Sequence, residues 1–457
     1  MLNSVQQCNS ADTLRFSLSL VLLVFGASRV WWMGQIALQT ERPRRASPGG
    51  ATVIILALVV LGTFLLAVPQ ESHAIPAWAR KYNADCAMCH YAAYPRLNSF
   101  GLQYRRMGYR TPSEVNKDQD LANVNNYLSG RIRAQFAYDN TKGTKERTEF
   151  RSPEVSLFYA GAISRHWSAY LHGFTQNGSD VDFHGHVMGM FGDMDKYLMV
   201  RVGEMHMLNQ EGIGGFDRPV GITSSPIHSN PLTRNAAPMI FHFDLRQKGA
   251  EIAYVYGPGR LFAQVTNGLD ETGSGTRRIG DIDPQKDFLI GYDHILDEIA
   301  SGFTLFYLNG TTHGAVTTTG SGLGVPIRTG NGFSYSRFGF NVNKIFTLPG
   351  LGFFELLGGY VRSHDNGPFG ATSDVEGNAW YVESQQYITG PEITFFERYS
   401  AIDLDGAKKN SMRKDYTFGA VTPIETWLRL AAEYTYTDNR NTAVTSHIGL
   451  VELQSIW

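Results

Sequence analysis

Cys86-Ala87-Met88-Cys89-His90 concentrates more potential chemistry than any other stretch of the chain: two thiols two residues apart, with an imidazole directly after the second. That C-x-x-C-H spacing is the attachment site of a c-type haem, in which both sulfurs tether one porphyrin edge and the adjoining imidazole ligates the iron. Cys86 and Cys89 are therefore assigned to a single covalent haem c, and His90 to the proximal iron bond. The competing chemistry for a C-x-x-C pair is a redox dithiol; the following His90 and an export signal favour haem. The third cysteine, Cys8, falls in a stretch expected to be removed, so none is left for a structural disulfide.

A six-coordinate iron needs a second axial ligand, His or Met. Met107 is the near candidate, on a short helical segment around Phe100 to Gly108; packing against the porphyrin is its other reading. A second source lies between Asp180 and Phe191. There the even positions are Asp180, Asp182, His184, His186, Met188 and Met190, and the odd ones are Val181, Phe183, Gly185, Val187, Gly189 and Phe191. In a strand this lines carboxylates, imidazoles and thioethers along one face, so His184 and His186 join Met107 as distal candidates. The same face could guide a metal ion or simply be polar lining. Arg80, Lys81, Arg96, Arg105, Arg106 and Arg110 make the haem segment basic, which suits haem propionates, with Arg96 and Arg105 the candidates, and also wall carboxylates.

Elements must position these groups, and the N-terminus indicates where. Thr52 to Val68 is a continuous apolar run preceded by Arg42, Arg44 and Arg45 and followed by Ser72-His73-Ala74, the plan of an export signal with a small-x-small cleavage site. Residues 1–74 are read as that signal, with the start at Met33 the simplest account of the short earlier apolar stretch Leu18 to Ala27. A true N-terminal anchor is the alternative. Removing 1–74 takes away five basic and three acidic residues and leaves 35 basic and 39 acidic. A chain without basic excess gives no reason to expect a nucleic-acid partner.

From Tyr127 onward polarity alternates with the period of a strand. Trp167, Ala169 and Leu171 oppose Ser168, Tyr170 and His172; Phe338, Phe340 and Val342 oppose Arg337, Asn341 and Asn343; Leu261, Ala263 and Val265 oppose Arg260, Gln264 and Thr266. Gly257-Pro258-Gly259, Leu348-Pro349-Gly350 and Thr422-Pro423 read as tight turns, and Gly268 to Asp287 and Thr311 to Gly332 as long polar loops. Short turns on one side and long loops on the other are the plan of an antiparallel outer-membrane barrel, and 12% aromatic residues suit its interfacial girdles. The fold class is all-β, with about 16 strands over residues 127–457 behind a short helical haem segment (75–115) and a linker (116–126). A soluble β-sandwich or propeller would also alternate. The haem segment is too small to build its own core, so it is expected inside the barrel lumen.

Ile75-Pro76-Ala77-Trp78-Ala79-Arg80-Lys81-Tyr82, then Cys86 to His90, Pro95-Arg96-Leu97-Asn98-Ser99-Phe100-Gly101 and Gly108-Tyr109 together resemble the fused monohaem cytochrome-porins. The resemblance spans about 35 residues, with the barrel matching in kind. It implies one c-type haem ahead of a barrel in outer-membrane lipid, and its best-known members oxidise extracellular Fe(II). The expected activity is electron transfer across the outer membrane by an Fe(II):cytochrome c oxidoreductase of outer-sphere type. A periplasmic cytochrome c or cupredoxin would collect the electron. The alternatives are a haem-plugged porin for small solutes and a peroxidase-like haem enzyme. Asp270, Glu271, Asp281, Asp283 and Asp287 would draw cations towards a pore mouth.

Overall fold

The protein is represented by a computed structural model describing residues 77–84, 86–90, 96–119, 123–176, 180–206, 208, 220–225, 227, 246–268, 285–312, 316–318, 326–328, 332–368, 372–425 and 427–457. The expected export signal at 1–74, and Asp270, Glu271, Asp281 and Asp283, lie outside the described residues.

Among the described residues two short α-helices precede the strands: α1 (Ala77–Tyr82) and α2 (Ser99–Arg106), with a 3₁₀ turn at Cys86–Met88 between them. There follow β1 (Leu128–Thr141), β2 (Arg147–Ala162), β3 (Trp167–Gln176), β4 (Asp180–Gly192), β5 (Lys196–His206), β6 (Arg246–Tyr256), β7 (Gly259–Thr266), β8 (Asp287–Ile295) and β9 (Gly302–Thr312). A small hairpin, β10 (Val316–Thr318) and β11 (Pro326–Arg328), stands apart from the wall. Then come β12 (Phe333–Leu348), β13 (Gly352–Asp365), β14 (Val375–Ile388), β15 (Ile393–Asp403), β16 (Met412–Glu425), β17 (Leu428–Asn439) and β18 (Val444–Ile456). All except β10 and β11 form one closed antiparallel barrel of sixteen strands, sealed where β1 pairs with β18 from Arg131↔Ile456 to Thr141↔Ser446. Closure leaves no edge strand, so every wall amide can bond within the sheet, as a hydrocarbon surround demands.

Alternation places the side chains as the sequence predicts. Along β12, Phe338, Phe340 and Val342 are exposed on the outer face, while Arg337, Asn341 and Asn343 are buried on the lumen side. Along β4, Val181, Phe183, Val187 and Phe191 face out, and His184, His186, Met188 and Met190 are buried inward. In water so many exposed apolar side chains would be a liability; against lipid they are the outer coat of a membrane barrel. The connections at 163–166, 193–195, 257–258, 349–351, 389–392 and 426–427 are short, whereas 207–245, 267–286 and 313–332 at the opposite end are long. Short turns mark the periplasmic end and long loops the outside.

Two sequence expectations need correction. Thr422-Pro423 is not a turn: both residues lie in β16, near its end, where the pairing with β17 shifts register between Pro423 and Glu425. Proline lacks the N–H that a regular ladder uses, and an irregularity accommodates it. Asp287 is not on a solvated loop; it opens β8, is buried, and accepts a hydrogen bond from the Tyr335 hydroxyl.

Part of the long 207–245 connection reaches the opposite wall. Ile222 and Thr223 N–H groups donate to Glu433 on β17 at 2.8 and 3.0 Å, and Arg398 on β15 donates to the Thr223 carbonyl at 2.9 Å. Arg398 and Glu433 both sit midway along their strands, so this segment narrows the lumen about halfway up.

Candidate functional site

The segment before the barrel is a plug in the periplasmic part of the lumen. Trp78 donates from Nε1 to the Ala160 carbonyl near the end of β2 at 2.9 Å, and Arg110 donates to the Ser164 and Trp167 carbonyls of the following turn at 2.6 and 2.9 Å. Ser99 N–H donates to the Glu298 carbonyl in the β8–β9 turn at 3.3 Å. These partners all lie at the short-turn end.

Buried ions hold the plug to the wall. Arg96 pairs with Glu355 on β13 at 2.7 Å, and Asn343 on β12 donates to the same carboxylate at 2.9 Å. Arg106 pairs with Asp293 on β8. Asp293 also takes Arg260 at 2.8 Å; Arg260 reaches Glu251 at 3.4 Å, and Glu251 takes Arg201 at 2.8 Å. Three guanidinium and two carboxylate groups thus alternate through a region closed to solvent, where each needs the others to offset desolvation. On the other side, Tyr109 stacks on Tyr170 of β3 at 6.4 Å. Trp78, Tyr104, Met107 and Tyr109 pack into the same apolar cluster as Met188, Met190 and Met199.

Within the plug, local chemistry shapes the attachment loop. The N–H groups of Cys89 and His90 both donate to the Cys86 carbonyl, at 3.1 and 2.9 Å, coiling the pentapeptide into one turn. Asn98 then ties that turn to α2. Its Oδ1 accepts from Gly101 N–H at 2.9 Å as the helix N-cap, its Nδ2 donates to the Ala87 and Met88 carbonyls at 3.1 and 3.2 Å, and its own N–H donates to the Cys89 carbonyl at 3.0 Å. Gly101 permits the approach: a Cβ there would stand 2.2 Å from the Cys89 carbonyl oxygen.

His90 Nδ1 lies 3.0 Å from the Arg96 carbonyl. A carbonyl only accepts, so Nδ1 carries the proton and Nε2 the lone pair, the tautomer an imidazole needs to ligate a metal through Nε2. Burial, with the neighbouring Cys86 charge adding to it, pushes the Cys89 thiol up to about 12. A redox dithiol is activated by the opposite shift. The two thiols and the oriented imidazole are the groups that would hold a c-type haem.

The other expected site residues are distributed as follows. Arg96 is engaged by Glu355, so a propionate would have to share it; Arg105 is buried on α2. Met107 is the C-cap of α2, buried in the methionine cluster about 9 Å along the helix from Gly101. His184 and His186 line the lumen on β4, whereas Arg96, six residues from His90, is held on β13, with β5 to β9 and β12 between the two strands. The geometry therefore brings Met107 to the β4 methionines and leaves the β4 histidines across the lumen from that anchor. Asn98, Asp293 and Glu355 are the site residues that sequence reasoning missed; only Asn98, an N-cap type before an amphipathic helix, had a local signal.

A third tie closes the plug on itself. Glu114 accepts from Lys81 at 2.7 Å, from the Tyr82 hydroxyl at 2.6 Å and from the Thr111 N–H at 2.9 Å. Burial works against its charge, but these donors, Lys81 first, hold its carboxyl below the usual carboxylate range. A carboxyl depressed on folding contributes stability above its unfolded value, about 4.3, and loses it as pH falls through the lower folded value. Hydrogen-exchange protection of residues 77–119 is therefore expected to drop on acidification below about pH 4, with a smaller drop in Glu114→Gln.

No family model and no curated protein matches the chain. Solved structures do. An anion-selective porin from Comamonas acidovorans is similar at 13% identity and a TM-score of 0.50, over 72% of this chain and 98% of that one. OprB of Pseudomonas putida, at high pH, aligns at 10% identity and 0.49 over 72% and 94%. A loop L8 deletion mutant of the Vibrio cholerae outer-membrane protein OmpT aligns at 10% and 0.47 over 72% and 99%. At such identities the likeness is one of fold alone: like the Comamonas porin, this chain forms a closed antiparallel β-barrel.

Proposed function

We propose that this barrel is an outer-membrane electron conduit whose plug carries one covalent haem c on Cys86, Cys89 and His90. The observation that carries the reading is the attachment loop itself, with His90 Nδ1 committed to the Arg96 carbonyl, on a plug clamped by Arg106–Asp293 and Arg96–Glu355. A haem held there supplies a one-electron couple. The chain's residues hold it near the periplasmic mouth, within reach of a soluble cytochrome or cupredoxin, and leave a polar shaft above for a small reductant such as Fe(II). The likeness of the segment 75–109 to the fused monohaem cytochrome-porins supports the same reading. No proton-transferring residue is required, because outer-sphere transfer asks only for proximity and a suitable potential.

The test has two stages. Cys86→Ser with Cys89→Ser is expected to abolish haem staining of the denatured polypeptide while the barrel still folds. The oxidised wild-type protein in detergent, mixed anaerobically with Fe(II), is expected to show saturable bleaching of the ferric bands in stopped-flow absorbance. Reduction by dithionite but not by Fe(II) would remove iron as donor.

A second reading, a solute porin with a haem-bearing plug, draws on the porin-type barrel and on the narrowing by Ile222 and Thr223. Single-channel conductance with the plug in place would favour it, and a silent bilayer the conduit.

A further inference from the structure

Two phenols of the plug stand together in a way that neither the attachment loop nor the clamps to the wall explain. The Tyr82 hydroxyl, at the end of α1, donates to Glu114 Oε2 at 2.6 Å and accepts from Lys81 Nζ at 2.9 Å, while the same ammonium reaches Glu114 Oε1 at 2.7 Å. The Tyr104 hydroxyl lies 3.4 Å from that of Tyr82, and the two rings meet edge to face at 6.0 Å and 90°. Trp78 packs edge-on against Tyr104 at 5.3 Å. Tyr104 is buried, and it sits three residues, about 4.5 Å of helix rise, beyond Gly101, which packs on the Cys89 carbonyl. An electron path through touching rings thus leads from the attachment loop to a phenol that has a carboxylate in line with its proton.

We propose that Tyr82, with Glu114 as its proton acceptor and Tyr104 as the bridging ring, is a redox-active tyrosine that discharges strong one-electron oxidants arising at the attachment loop. A phenol away from water resists losing an electron because the cation radical that forms is a strong acid with nowhere to send its proton. A carboxylate 2.6 Å from the hydroxyl removes that obstacle, being within the reach that transfer to a general base requires. In the step, one electron passes from the Tyr82 ring by way of Tyr104 to the oxidant, the hydroxyl proton moves to Glu114 Oε2, and a neutral phenoxyl remains beside Lys81. Lys81, bonded to both oxygens, keeps donor and acceptor aligned. One electron from a small dissolved reductant such as Fe(II), with return of the proton from Glu114, restores the phenol. The oxidant is hydrogen peroxide activated at the plug iron, and in this respect the proposal rests on the haem reading. Two turns, with two protons from solvent, take one peroxide to two waters and two Fe(II) to Fe(III). Tyr335 makes the same kind of bond to Asp287, but at the outer end of the wall, and serves as the control.

The experiment first supplies an oxidant that needs no haem. A thiol-reactive ruthenium polypyridyl is attached to Cys86 of the full chain in detergent, with Cys8→Ser and Cys89→Ser leaving that thiol alone. Flash oxidation with a soluble quencher is then followed by transient absorbance and rapid-freeze electron paramagnetic resonance. A tyrosyl radical is expected, lost in Tyr82→Phe and kept in Tyr335→Phe. Glu114→Gln, which leaves the hydroxyl without a base, should slow its formation by about a hundredfold, and Glu114→Asp should recover part of the rate. The proposal is overturned if no tyrosyl radical forms, if the signal survives Tyr82→Phe at wild-type yield, or if Glu114→Gln forms it as fast as the wild type. A heat-shifted gel band reports folding, and should Tyr82→Phe unfold, the Glu114→Gln rate decides. In haem-bearing protein, hydrogen peroxide is expected to raise the same Tyr82-dependent radical, and its absence there also overturns the proposal. A chain that takes up no haem fails the functional reading instead, and the ruthenium result then decides this one.

Discussion

Asp293→Ala is expected to release the plug from a barrel that otherwise stays closed. Asp293 is fully buried and holds both Arg106 of the plug and Arg260 of the wall. Without it, the guanidinium groups of Arg106, Arg260 and Arg201 lose one of the two carboxylates that, among the described residues, alternate with them in a region closed to water. Breaking a buried pair by deleting one partner costs about 3–5 kcal/mol, because the surviving charge stays desolvated. At about 1.4 kcal/mol per decade, that shifts the docked-to-undocked ratio by roughly two to four orders of magnitude. The wall itself, knit by backbone bonds along β7, β8 and β9, keeps its register. The measurement is paired: trypsin cleavage within residues 77–119 should accelerate, and single-channel conductance should rise. Arg106→Ala should do the same more weakly, since Arg260 then still satisfies Asp293. Unchanged cleavage and conductance in Asp293→Ala would mean that the clamp at Glu355 and the backbone ties of Arg110 suffice.

The second large effect is at Gly101. A methyl group there would collide with the Cys89 carbonyl at 2.2 Å, and that backbone oxygen is already fixed by the Asn98 N–H. Overpacking a tight contact costs about 1–3 kcal/mol when neighbours can yield, and more where, as here, the neighbour is backbone. Gly101→Val is expected to separate the attachment loop from α2, so that Cys89 reacts readily with a maleimide in haem-free protein and covalent haem yield collapses. Gly390→Ala, where an added Cβ meets nothing within 4 Å, is the matched control and should leave both readouts unchanged. A Gly101→Val chain with wild-type haem yield and a protected Cys89 would show that the loop can find another seat.

The wall was legible because alternation is local. The facing of Arg337, Asn341 and Asn343, or of His184 and Met188, follows from counting residues along one strand, and a closed porin-type barrel is what results when that count repeats. The Cys86 to His90 motif is equally local, five consecutive residues that the structure coils into one turn. What stayed hidden depends on closure. Arg106 and Asp293 are 187 positions apart, and Arg96 and Glu355 are 259; nothing near either residue says which wall carboxylate a plug arginine will meet. Asp287 follows an acidic, polar stretch and reads as loop, yet one position decides between the last solvated residue and the first of β8. Thr422-Pro423 carries a turn signature, but its neighbours supply enough pairing for β16 to continue past a missing N–H.

The height of the plug restricts what can ever reach His90. The plug is fixed beside the short turns, and about halfway up the barrel Glu433 and Arg398 hold Ile222 and Thr223 against the wall, so the barrel is a well with the Cys86–His90 turn towards its bottom. A mineral face or a folded protein on the outer surface cannot descend it; only what is small, dissolved and at ease among carboxylates and guanidinium groups can. From the outer side the architecture is thus a size filter that favours solutes.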